Sequence, residues 1–103
     1  MTDLNVVVYR TRPLTDRNDI FQVLGRIEGG LFDMEATILG VSVDGLGSIR
    51  AYGAALADSN FSIIVHLQDV GRYTLYVIPI YTDGVPRYQF SSKAFEVVVQ
   101  SNV

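Results

Sequence analysis

The chain contains no cysteine and no tryptophan, and only one histidine, His66, and one lysine, Lys93, in 103 residues. Without cysteine there can be no disulfide scaffold, cysteine-ligated zinc site, iron–sulfur cluster or thiol nucleophile. One histidine gives no imidazole cluster for a metal and a single candidate for imidazole acid–base chemistry. Positive charge is also scarce: Lys and Arg total 8 against 11 Asp and Glu, and the isoelectric point is about 4.8. Binding a phosphate backbone needs a basic excess, so nucleic acid is excluded as an expected partner. The longest strongly apolar stretch, Tyr73 to Tyr81, contains Pro79 and falls well short of the roughly 20 residues of a membrane helix. No membrane partner is expected. The opening Met1-Thr2-Asp3-Leu4-Asn5 has an acid where a secretory signal carries a basic region. The expectation is a chain made in the cytoplasm without a signal peptide.

What the sequence does contain is apolar and patterned. Hydrophobic residues make up 49% and the formal net charge is only −3, with a mean hydropathy of +0.26. Disordered chains show the opposite combination, so one folded domain over residues 1–103 is expected. Apolar residues alternate or run in short stretches, and Gly, Asp, Asn or Pro breaks them every ten residues or so. The pattern predicts strands over Leu4–Arg10, Ile20–Glu28, Met34–Val43, Ile49–Ala55, Asn60–Leu67, Arg72–Tyr81 and Tyr88–Gln100. About seven strands of this length predict an all-β fold, a single antiparallel two-sheet sandwich. Phe61, Ile63, Val65 and Leu67 fall on one face of their strand, as do Phe95, Val97 and Val99 on theirs. Gly29-Gly30, Asp44-Gly45-Leu46-Gly47, Asp58-Ser59-Asn60 and Asp83-Gly84 mark the turns. Gly40 and Gly53 inside strands point to bulges or close backbone approach, and Pro79 to an edge or a bulge. Residues 1–19, with Arg10, Arg12, Arg17 and Pro13, are expected to form a partly extended N-terminal arm.

The run Leu67-Gln68-Asp69-Val70-Gly71-Arg72-Tyr73-Thr74-Leu75-Tyr76-Val77 resembles the corner that enters the sixth strand of immunoglobulin and fibronectin type III domains. In those domains a tyrosine near the start of that strand turns its hydroxyl back to the preceding backbone. The resemblance implies an immunoglobulin-like sandwich, with Tyr73 as the corner tyrosine and Leu67, Asp69 and Gly71 as the rest of a structural corner. Leu75 stands where an antibody domain places its second cysteine, and no tryptophan marks the third strand. The other reading of Tyr73 is a half-buried strand tyrosine in another sandwich or jelly roll. Such a resemblance speaks to fold and not to function.

No constellation of residues indicates catalysis. His66 has Asp69 close in sequence and Ser62 on its own strand face, but no spacing that defines a catalytic pair. Asp33, Glu35, Asp44 and Asp58 lack calcium-loop spacing and read as solvated acids. The glycines of 25–30 and 44–47 come without a phosphate-loop lysine. No cofactor, no metal and no catalytic residue is expected.

The surface composition carries more. Charged residues are 18%, where an average globular chain has roughly 25%, and seven of the eight cations are arginine. Arg, Tyr and Phe are enriched at the centres of protein interfaces and Lys is depleted. In Tyr73–Tyr81 both faces are largely apolar, although a sandwich strand faces a single core. The second face, Tyr76, Ile78 and Ile80, together with Tyr81, Tyr88 and the arm residues Arg10, Arg12 and Arg17, is therefore the expected interface. Aspartate at position 76 or 78 is expected to abolish association and spare folding. By type, the chain resembles the accessory structural proteins of tailed bacteriophages. That implies a non-enzymatic virion protein: a capsid decoration or cement protein, or another head or tail component. Its partners would be protein, namely itself and a capsid or other virion protein, and its final place the virion. The alternative is an immunoglobulin-like recognition module for a peptide or glycan.

Overall fold

A computed structural model describes residues 5–14, 19–29, 38–43, 49–54, 60–80 and 84–100. The described residues form seven strands: β1 (Asn5–Pro13), β2 (Ile20–Glu28), β3 (Ile38–Val43), β4 (Ile49–Ala54), β5 (Asn60–His66), β6 (Gly71–Ile80) and β7 (Phe95–Val99). They form two antiparallel sheets, one of three strands in the order β1-β2-β5 and one of four in the order β4-β3-β6-β7. This is an all-β sandwich consistent with an immunoglobulin-like fold. Its fourth strand pairs with β3, whereas in constant-type immunoglobulin domains the fourth strand lies in the sheet of the first, second and fifth.

Alternation in the sequence becomes alternation of burial. Phe61, Ile63 and Val65 of β5, with Leu67 just beyond, are all at most 3% exposed, while Ser62, Ile64 and His66 between them face solvent. Val23 and Ile27 of β2 meet Val41 of β3 and Leu75, Val77, Val97 and Val99 of β6 and β7 in one core between the sheets. The largest packing constraint lies at Gly25. A Cβ there would run into the Val7 carbonyl oxygen and the Phe61 ring. Only hydrogen fits, and Phe61, 1% exposed, fills the space a side chain would take.

Two expectations change, and the one for Pro79 is met at a local edge. The strand expected over Tyr88–Gln100 is shorter: β7 is Phe95–Val99, and Tyr88–Phe90 is a 3-10 turn. The turn is held locally, by Phe90 N–H donating to the Arg87 carbonyl at 3.0 Å and Ser91 N–H to that of Tyr88 at 3.1 Å. Pro79 lies on β6, a strand between two others, and is fully buried. Because β7 pairs only as far as Leu75, Pro79 occupies a local edge. That edge is covered by the connection to β7: Arg87 N–H donates to the Pro79 carbonyl at 2.8 Å and Ser92 N–H to that of Val77 at 2.9 Å. The Ser92 hydroxyl in turn accepts from Val77 N–H at 3.0 Å. The second change concerns the N-terminal segment, where Asn5–Pro13 is paired with β2 from Asn5↔Glu28 to Pro13↔Phe21. These residues are a sheet edge and not an arm.

Candidate functional site

The corner is built by one hydrogen bond: the Tyr73 hydroxyl donates to the Asp69 backbone carbonyl at 2.7 Å. Leu67 is buried beneath it, the Asp69 side chain is exposed, and Gly71 opens β6. Asp69 thus serves the corner through its backbone and not its carboxylate. Tyr73→Phe removes this bond and leaves the ring in place. The expected loss is about 1 kcal/mol of stability, read as a shift in the urea midpoint, and an unchanged midpoint would show that the bond contributes nothing net.

Beside the corner lies a polar hollow of about 310 Å³ lined by Arg50, His66, Leu67, Gln68, Asp69 and Tyr73. His66 Nε2 is 2.8 Å from Asp19 Oδ2, and the Asp19 carbonyl accepts from Leu67 N–H at 2.8 Å. This ties the start of β2 to the end of β5. The Ser62 hydroxyl, on the same strand face as His66, accepts from Gln22 Nε2 at 2.8 Å. Gln22 Oε1 accepts from Arg12 Nε, also at 2.8 Å, so a polar ladder crosses all three strands of the smaller sheet. His66 therefore has an acid beside it, but Ser62 is engaged elsewhere. Among the described residues no group of three or more His, Asp or Glu side chains is placed to hold a metal ion. Asp33, Glu35, Asp44 and Asp58 lie outside the described residues.

The residues expected at an interface separate into distinct places. Ile78 is 0% and Ile80 6% exposed, so both are already covered within the chain and neither is a free surface. One physical reason is Gly40: the space its missing side chain leaves is taken by Ile49, whose Cγ2 would lie 2.8 Å from a Cβ there, and by the tip of Ile80 at 3.4 Å. The second apolar face of β6 is thus partly a small outer core. Tyr76, opposite Ser42 in register, is half-buried, and Tyr88, on the 3-10 turn, is 41% exposed. Arg10 and Arg12 are exposed on β1. Tyr81 and Arg17 lie outside the described residues.

The aromatic residue that the four-stranded sheet offers most openly is one the sequence reading passed over. Tyr52 of β4 is 65% exposed and pairs with Gly40, which pairs on its other side with Ile78. A row across the outer face therefore runs from exposed Tyr52 over Gly40 to buried Ile78. Val98 of β7, 45% exposed, lies opposite Arg72, and Arg72 Nε approaches Glu96 Oε1 at 3.5 Å nearby. The signal was available in Arg50-Ala51-Tyr52-Gly53, where alternation sets Arg50 and Tyr52 against Ala51 and Gly53. Tyr9, 59% exposed, lies at the register irregularity of β1 between Val8 and Arg10.

Fold and surface together define a small β-sandwich that exposes Tyr52 on the outer face of its four-stranded sheet. Compared with known protein families, curated proteins and solved structures, the chain matches none.

Proposed function

We propose that the chain is a non-enzymatic structural module that joins a larger protein assembly by burying the outer face of its four-stranded sheet. The supporting observation is that face itself: Tyr52, 65% exposed, heads a row that runs over Gly40 to buried Ile78, and Val98, 45% exposed, stands further along the same sheet opposite Arg72. Tyrosine buries a large area with a polar tip and is enriched among the residues that carry binding energy. The particular role proposed is the one its resemblance of type suggests, a capsid decoration or cement protein or another virion component. In that role it stabilises a shell by binding the assembled state in preference to free subunits.

The test is Tyr52→Asp. An exposed substitution of this kind changes folding stability by about 0.5 kcal/mol or less, so the variant is expected to melt as the parent does. Its recovery in assembled particles, measured by quantitative mass spectrometry beside the parent chain, is expected to fall at least tenfold. Equal recovery of the two would remove this face from the assembly.

A further inference from the structure

The two seams of the sandwich differ. At one, β4 and β5 close on each other: a Cβ at Gly53 would lie 2.8 Å from Ile63 Cγ1 and 3.0 Å from the Ser62 carbonyl oxygen. No strand can enter there. At the other seam the edges of β1 and β7 border a groove of about 310 Å³, with Asn5–Val8 on one wall and Ser91, Lys93, Ala94 and Phe95 on the other. Among the described residues β1 has β2 as its only neighbour in the three-stranded sheet. Alternate residues of an edge strand turn their backbone N–H and C=O away from the sheet. Among the described residues, no backbone hydrogen bond crosses this groove.

The two halves of β1 are not alike. From Tyr9 onward it carries the features that keep sheet edges apart: a register irregularity between Val8 and Arg10, two arginines and Pro13. Asn5–Val8 carries none of them. It is regular in register, uncharged and mostly valine, the composition that favours pairing.

We propose that Asn5–Val8 is a homotypic docking edge, on which a second copy of the chain lays its own Asn5–Val8 antiparallel across a two-fold axis. The two three-stranded sheets then become one sheet of six. An isologous contact requires a self-complementary surface, and this edge provides one. With the axis at Val7, Val7 faces its own copy, Val6 faces Val8 and Asn5 reaches Tyr9, so no like charges oppose each other. This edge lies apart from the outer face around Tyr52, so it stands or falls independently of that face.

The experiment measures solution mass by light scattering, together with amide hydrogen exchange, for the parent and for Val7→Glu across a wide concentration range. The parent is expected to rise from 11.4 kDa toward twice that mass, with exchange at Val6–Val8 slowing in parallel. Val7→Glu leaves the backbone intact and sets its carboxylate beside Arg26, the register partner of Val7. It is expected to fold normally and remain at 11.4 kDa. A parent that is monomeric at every concentration overturns the proposal, including one whose edge takes up only a strand of another protein. So does a Val7→Glu variant that dimerises as the parent does. Should that variant fail to fold, the exchange data on the parent decide: slowing confined to segments other than Asn5–Val8 also overturns it.

Discussion

Gly25→Ala is expected to lower stability by about 3 kcal/mol or more, the upper end of what overpacking costs. In this position replacing glycine also restricts the unfolded chain, which by itself stabilises by about 0.4–1 kcal/mol. The steric term wins because both neighbours are fixed. The added methyl meets the Val7 carbonyl of β1 on one side and the Phe61 ring of β5 on the other, and β2 pairs with both of those strands. For a domain of this size the loss corresponds to a fall in Tm of about 12 °C or more, measured by calorimetry. A second substitution, Phe61→Leu, removes the ring from the collision and is expected to cost less in the Gly25→Ala background than alone. Purely additive losses would mean the methyl is accommodated elsewhere.

Ile78→Asp is expected to unfold the protein. Truncating a buried isoleucine costs about 2–5 kcal/mol, and a carboxylate placed without a buried cation adds several more. Ile78 is 0% exposed, so neither term is relieved by solvent. The sum approaches the whole stability of a typical domain, about 5–15 kcal/mol. Loss of the folded circular dichroism and thermal transition is the expected readout. A folded Ile78→Asp that merely fails to associate would restore the reading of Ile78 as a surface residue. The contrast with Tyr52→Asp is instructive, since both positions belong to one row of the same sheet face and opposite outcomes are expected from the same substitution.

That contrast also shows where sequence reasoning stops. Phe61, Ile63, Val65 and Leu67 could be assigned to the core because strand alternation has a period of two and one buried face absorbs every second residue. Tyr73 could be assigned to its corner because a run of eleven residues carries that local geometry. Ile78 could not be placed in the same way. Period two says that it faces away from the central core, but not that Gly40, nearly forty residues earlier, leaves a hollow that Ile49 and Ile80 fill. The same limit applies to Arg10 and Arg12. Charge and Pro13 read as a free segment, yet cross-strand partners on β2, among them Gln22 for Arg12, hold Asn5–Pro13 in the sheet. Tyr88–Phe90 looked like strand because its aromatics favour strands. Hydrogen bonds to Val77 and Pro79 from Ser92 and Arg87 override that preference, and the segment becomes a cover for the open edge of β6.

The central claim, that this chain works by joining a protein assembly, is tested most directly by its copy number. Particles purified from the culture that produces the chain are to be analysed by quantitative mass spectrometry against their major shell protein. The account predicts a fixed stoichiometric ratio that survives repeated gradient purification. A chain abundant in the soluble fraction and missing from the particles would contradict it.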